Sequence, residues 1–165
     1  MTSPNFASCS TTWLVARSLE LHDYRSLIDG FLSLSHVRNR GAAFGILSDA
    51  DLPYQAMLFS VLSLVALVAI AVYAWRLPAG ARLPQFALAL ILGGALGNLI
   101  DRMRMGYVTD FIHVYWKTHQ WPDFNSADSA ITVGVTLLVL DILLSPQMET
   151  SAKAEIVASP AGRTD

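Results

Sequence analysis

Three apolar runs constrain this chain more than any other feature. Residues 57–75 carry no charge over 19 positions, residues 83–100 none over 18, and residues 129–144 only Asp141. A helix needs about 20 mostly apolar residues to cross a hydrocarbon core of about 30 Å. Inside lipid, only a helix or a closed barrel satisfies its own backbone. The runs are therefore read as membrane spans at 57–75, 83–103 and 126–144, within a transmembrane helical domain over 54–145. Composition agrees, since 15% of the 165 residues are charged against about 25% in an ordinary soluble domain. Tyr73 and Trp75 at one span end, with Tyr115, Trp116 and Trp121 before the last span, fit interfacial belts. Ala89, Gly93 and Gly97 recur every four residues in the second span and predict a helix–helix packing face.

The rest of the chain is short-patterned. Residues 31–37 alternate apolar and polar side chains, the period of a half-buried strand. Asp29-Gly30 marks a turn before them, and residues 24–28 are predicted as the partner strand of a hairpin. Residues 42–47 are read as a third strand or an entry into the membrane. Together, 13–50 are expected to form a small antiparallel β-cradle, while 104–125 form an external loop whose residues 107–114 suit an extended segment. Residues 146–165 read as a disordered polar tail. Residues 1–12 have neither a basic region nor an apolar run, so no signal peptide is expected there. The fold class expected is an all-α integral membrane protein with three spans and a small external sheet.

Several function classes fall away. A net charge of −2 gives no case for nucleic acid. One cysteine leaves no internal disulfide and no cysteine-based metal site. The histidines at 22, 36, 113 and 119 lack the spacing of metal ligands and are read as surface or belt residues.

What remains is a pair of acids. Asp110 and Asp128 lie 18 residues apart across a short polar excursion, each beside an apolar run. Acids near hydrocarbon are costly, and where they occur they usually do chemistry or move ions. Asn98 and Arg102 share a helix face, and Asn125 and Asp128 share another. Folding the excursion back would gather Asn98, Arg102, Asp110, Asn125 and Asp128 at one interface. Two adjacent carboxyls share one proton, which suits peptide hydrolysis. The ionised member activates water and the protonated member donates to the scissile carbonyl. Asp128, near a helix N-terminus, is expected to be the base. Arg102 and the asparagines would orient the carboxyls or bind substrate. Asp101 and Asp141 are read as structural. Two other readings stay open: a non-enzymatic membrane protein using paired carboxylates for proton or ion handling, and an inactive truncated copy of a peptidase. Arg76 and Arg82, in a loop without acids, place that loop on the cytoplasmic side and the acids at the opposite face.

Four motifs carry a resemblance. Asn39-Arg40-Gly41-Ala42-Ala43-Phe44-Gly45, Gly97-Asn98-Leu99-Ile100-Asp101-Arg102, Val108-Thr109-Asp110-Phe111 and Phe124-Asn125-Ser126-Ala127-Asp128 resemble, in order and spacing, the motifs of bacterial lipoprotein signal peptidase. The resemblance implies an aspartyl endopeptidase of the bacterial inner membrane, with its site near the external face. It would remove the signal peptide from diacylglyceryl-modified prolipoproteins, cutting before the lipidated cysteine. It implies Asp110 and Asp128 as the catalytic pair, and Asn39, Asn98, Arg102 and Asn125 as site residues. It also implies no metal or other cofactor, inhibition by globomycin, and a monomer in membrane lipid. The family has four spans and begins with a helix ending in an Asp-Gln-x-Thr-Lys-like motif. Here Ser8-Cys9-Ser10-Thr11-Thr12 stand at that place, so residues 1–12 are read as a polar N-terminus lacking that first helix.

Overall fold

A computed structural model describes residue 15, residues 18–41 and residues 54–158, with side chains as far as residue 144 except at position 56. The expectations for residues 1–12 and 42–47 lie outside the described residues. Within them the chain forms β1 (Tyr24–Ile28), β2 (Leu32–Asn39), α1 (Gln55–Arg76), α2 (Arg82–Met105), β3 (Val108–Trp116), β4 (His119–Gln120) and α3 (Ser126–Ala158). Three of these helices are long and apolar enough to cross a membrane.

α1 exposes Leu58, Val61, Leu62, Val65 and Val68 around its surface, as a span facing lipid does. α2 and α3 instead press together. A Cβ on Gly94 would strike the Ala127 carbonyl oxygen and the Ile131 side chain, and one on Gly134 would strike the Ala87 carbonyl oxygen and Ile91. Only residues without a Cβ allow two backbones this near, and dispersion between such surfaces is what joins helices in lipid. The seam runs through Ala87, Ile91, Gly94 and Asn98, all buried. This corrects the predicted face: Ala89 and Gly93 are exposed, and a Cβ on Gly93 would meet nothing. The reason is that small residues line two adjacent stripes of α2, so both carried the same signal.

α2 stops at Gly106, whose positive φ of 76° lets its N–H reach the Arg102 carbonyl oxygen at 2.9 Å. A glycine is favoured there because a Cβ disfavours that conformation. The chain leaves directly into β3.

The sheet runs in the order β1-β2-β3-β4, antiparallel throughout. The hairpin of β1 and β2 is as predicted, turning through Gly30 at φ 78°. The sheet is not confined to 13–50, however, because half its strands come from the segment read as a loop at 104–125. Among the described residues the fold is therefore a mixed one, three helices able to span a membrane with a four-stranded sheet, rather than all-α. A β-bulge interrupts β2 between Leu34 and Val37 and accommodates one extra residue against β3. α3 continues to Ala158, past the apolar run, so helix replaces the expected tail over 146–158. Glutamate, lysine, methionine and alanine in that stretch are good helix formers despite their polarity.

Candidate active site

The six residues singled out from sequence converge where the sheet meets the ends of α2 and α3. Asn39, Asn98, Arg102, Asp110, Asn125 and Asp128 are all buried, Asp110 to 1% exposure and Asp128 to 4%.

Asn125 is the hinge of the arrangement. It is the N-cap of α3, and its Oδ1 accepts the backbone N–H of Ala127 at 2.7 Å and of Asp128 at 3.1 Å. With the oxygen so used, the amide can turn only one way, and Nδ2 points at Asp110 and Asn98. Nδ2 donates to Asp110 Oδ1 at 2.8 Å and to Asn98 Oδ1 at 3.3 Å. Asp128, in the first turn, returns the cap: its Oδ2 accepts the Asn125 backbone N–H at 3.3 Å. This is the reciprocal pattern of a capping box, with aspartate in the acidic position. One asparagine thus touches both carboxyls, one through its side chain and one through its backbone.

The other oxygens are also held. Asn39 Nδ2 donates to Asp110 Oδ2 at 2.9 Å, and Gly41 N–H donates to Asn39 Oδ1 at 2.8 Å. Asn98 Nδ2 donates to Asp128 Oδ1 at 2.8 Å across the glycine seam. Arg102 lies within electrostatic reach of both acids, but its Nη2 donates to the Gly41 carbonyl oxygen at 2.7 Å. It therefore ties α2 to the chain just after β2. Its Nε is buried without a hydrogen-bond partner among the described residues.

Burial pushes the Asp110 carboxyl up from 3.8 to about 7. The hydrogen bonds from Asn39 and Asn125 pull against this, and the charges of Asp128 and Asp123 add to it. A carboxyl with its midpoint near neutrality is a serviceable proton donor beside a second acid.

Among the described residues one hollow borders the site and another lies beside the start of α3. The first, about 370 Å³, is bordered by Gly93, Gly97, Asn98, Asp101, Asn125 and Ser126. The other, about 270 Å³ and mostly apolar, lies between Trp121, Phe124, Ser129, Thr132 and Val133. Among the described residues no group of three or more histidine, cysteine, aspartate or glutamate side chains is set to hold a metal.

The histidines divide. His22 and His119 are exposed, but His36 and His113 are buried, which corrects their reading as surface or belt residues. His36 Nδ1 lies 3.0 Å from the Leu19 carbonyl oxygen. His113 Nδ1 lies 3.3 Å from Asp123 Oδ1, near enough for an ion contact but off the angle of a hydrogen bond. Ser35 Oγ donates to the same Asp123 oxygen. No motif spacing marked Ser35, His113 and Asp123, because strand pairing brings them together.

The profile of the family described as Signal peptidase (SPase) II matches residues 9–144. Lipoprotein signal peptidase of Geobacter metallireducens is 50% identical over 134 residues, covering 81% of this chain and 82% of that one. The enzyme of the same name from Acinetobacter baylyi is 46% identical over 131 residues, covering 79% and 72% respectively. A bacterial membrane enzyme solved by the in meso method at 2.3 Å superposes with a TM-score of 0.72 at 30% identity, covering 94% of this chain and 86% of the other. Family profile, relatives and fold agree: the chain belongs to the signal peptidase II family, a family of peptidases.

Proposed function

We propose that this chain is an intramembrane aspartyl endopeptidase that removes the signal peptide from diacylglyceryl-modified prolipoproteins, cutting before the lipidated cysteine. The single observation behind the acid-pair chemistry is that Asn125 grips Asp110 and Asp128 at once, in a buried place at the ends of two membrane spans. Asp110, whose midpoint burial raises to about 7, is the proton donor. Asp128, with both oxygens accepting N–H bonds at the start of α3, is the base. Water between them loses a proton to Asp128 as it attacks the scissile carbonyl. Asp110 protonates the carbonyl oxygen, the proton on Asp128 passes to the amine nitrogen, and as the C–N bond breaks a hydroxyl of the tetrahedral intermediate returns its proton to Asp110. Asn39, Asn98 and Asn125 hold the acids still, and Arg102 fixes Gly41 beside them. The apolar hollow at Trp121 and Val133 suits the hydrocarbon part of such a substrate.

The arginines at 76 and 82 support a cytoplasmic α1–α2 loop, which sets the site near the external face of the inner membrane. The enzyme works there as a monomer in lipid and is inhibited by globomycin. Asp110→Asn and Asp128→Asn each abolish cleavage of a lipidated prolipoprotein while the protein still inserts in the membrane. Normal cleavage by either variant would refute the acid pair.

A further inference from the structure

Beyond the acid pair, the described residues hold another buried polar group that the reaction above leaves unused. Ser35 is completely buried and its Oγ donates to Asp123 Oδ1. His113 Nδ1 lies 3.3 Å from that same oxygen. The His113 ring is met edge-on by Tyr24 at 5.1 Å and stacked by Tyr115 at 5.5 Å. Asp123 therefore joins β2 and β3 to the segment that leads into α3.

We propose that Asp123 is a positioning residue for the reaction, acting through Asn39 and Asn125, the two asparagines that grip Asp110; the inference rests on the acid-pair reading above. Both asparagines lie just downstream of what Asp123 holds. Ser35 sits inside the β2 bulge, between Leu34, which pairs with Ile112, and Val37, which pairs with Asp110. The extra residue there shifts the register of everything after it, including Asn39. A bulge of this kind bends a strand and re-aims its side chains, so the Ser35–Asp123 bond pins the bend that delivers Asn39 to Asp110 Oδ2.

On the other side, Asp123 lies two residues before Asn125. The segment between is laced to β3: Trp121 N–H donates to the Val114 carbonyl oxygen at 2.8 Å, and Phe124 N–H to the Ile112 carbonyl oxygen at 3.1 Å. The Phe124 carbonyl oxygen takes N–H bonds from Phe111 at 3.0 Å and Ile112 at 2.8 Å. These bonds fix the segment against β3, and the Ser35–Asp123 bond ties it directly to β2 at the bulge. One carboxyl thus coordinates both donors to Asp110, from two elements distant in sequence.

The test measures kcat and KM for cleavage of a lipidated prolipoprotein by the full chain in detergent or lipid, for Asp123→Ala and Asp123→Asn. Asp110→Asn and Asp128→Asn are run alongside. Asp123→Ala loses the contact to Ser35 and is expected to lower kcat on the order of ten- to a hundredfold, as small misplacements of reacting groups do, with KM near the wild-type value. Asp123→Asn keeps an oxygen for Ser35 and is expected to recover most of the lost kcat. Wild-type kcat in Asp123→Ala overturns the inference. So does a loss that Asp123→Asn fails to recover, or one carried in KM alone. If Asp110→Asn and Asp128→Asn are inactive in the same assay, that failure belongs to Asp123 only. If either of them is active, the acid-pair reading itself has failed.

Discussion

Asp110 and Asp128 end up side by side on unlike scaffolds. Asp110 stands in a β-strand, and both its oxygens accept from side-chain amides, those of Asn39 and Asn125. Asp128 stands in the first turn of a helix, accepting one amide from Asn98 and one backbone N–H from Asn125. The strand acid depends on the register of a bulged sheet. The helix acid depends on how closely α2 and α3 approach. Asn125 is where the two supports meet, and its cap bonds let one residue serve both.

The sharpest way to break this comparison is to remove the shared residue. Asn125→Ala deletes one of the donors to Asp110 and the acceptor that caps α3. Cleavage is expected to fall by about a hundredfold or more, while the lost cap costs only about 1 kcal/mol of stability. Turnover and thermal unfolding, measured on the same preparation, check both numbers.

A second substitution strikes the helix side alone. Gly94→Leu has no room against Ala127 and Ile131, and overpacking of this sort costs about 1–3 kcal/mol. Spreading the seam lengthens the Asn98–Asp128 bond, so activity drops while the hairpin of β1 and β2 stays intact. Unfolding in detergent, together with hydrogen exchange in the sheet, separates the two effects.

The strand side is sharpened by pH, with a smaller effect. The Asp110 midpoint is about 7 in the fold and 3.8 ordinarily, so the folded state keeps a proton that the unfolded chain releases. That contribution to stability is complete below about 3.8 and is lost as pH rises through about 7. Wild-type stability should therefore decline across this window, and Asp110→Asn, which carries no charge in either state, should show a weaker decline. Unfolding midpoints at several pH values give the comparison.

Much of this was legible in the residues. The spans follow from apolar length, and the hairpin of β1 and β2 from a two-residue period closed by Asp29-Gly30. Asn125 and Ser126 are both residue types that cap a helix, and only the N–H bonds from Ala127 and Asp128 single out Asn125. The packing stripe on α2 was not legible. Gly93 and Gly94 are neighbours in the helix, and only the contact of Gly94 with Ala127 and Ile131 chooses between them. Nor was the cluster of Ser35, His113 and Asp123, because a bulge that changes β2 register by one residue leaves no mark in the alternation. His113 looked like a belt residue because part of its surroundings, Tyr24 and Asp123, comes from segments distant in sequence that the fold brings near.

The proposed chemistry requires that one acid of the pair hold a proton near neutral pH and that this acid be Asp110. Difference infrared spectroscopy of the carboxyl stretch, recorded on wild type, Asp110→Asn and Asp128→Asn across pH, tests it directly. The expected result is a protonated-carboxyl band that fades as pH rises through about 7 and is missing from Asp110→Asn. A band that survives in Asp110→Asn and vanishes in Asp128→Asn, or no such band in wild type, would contradict it.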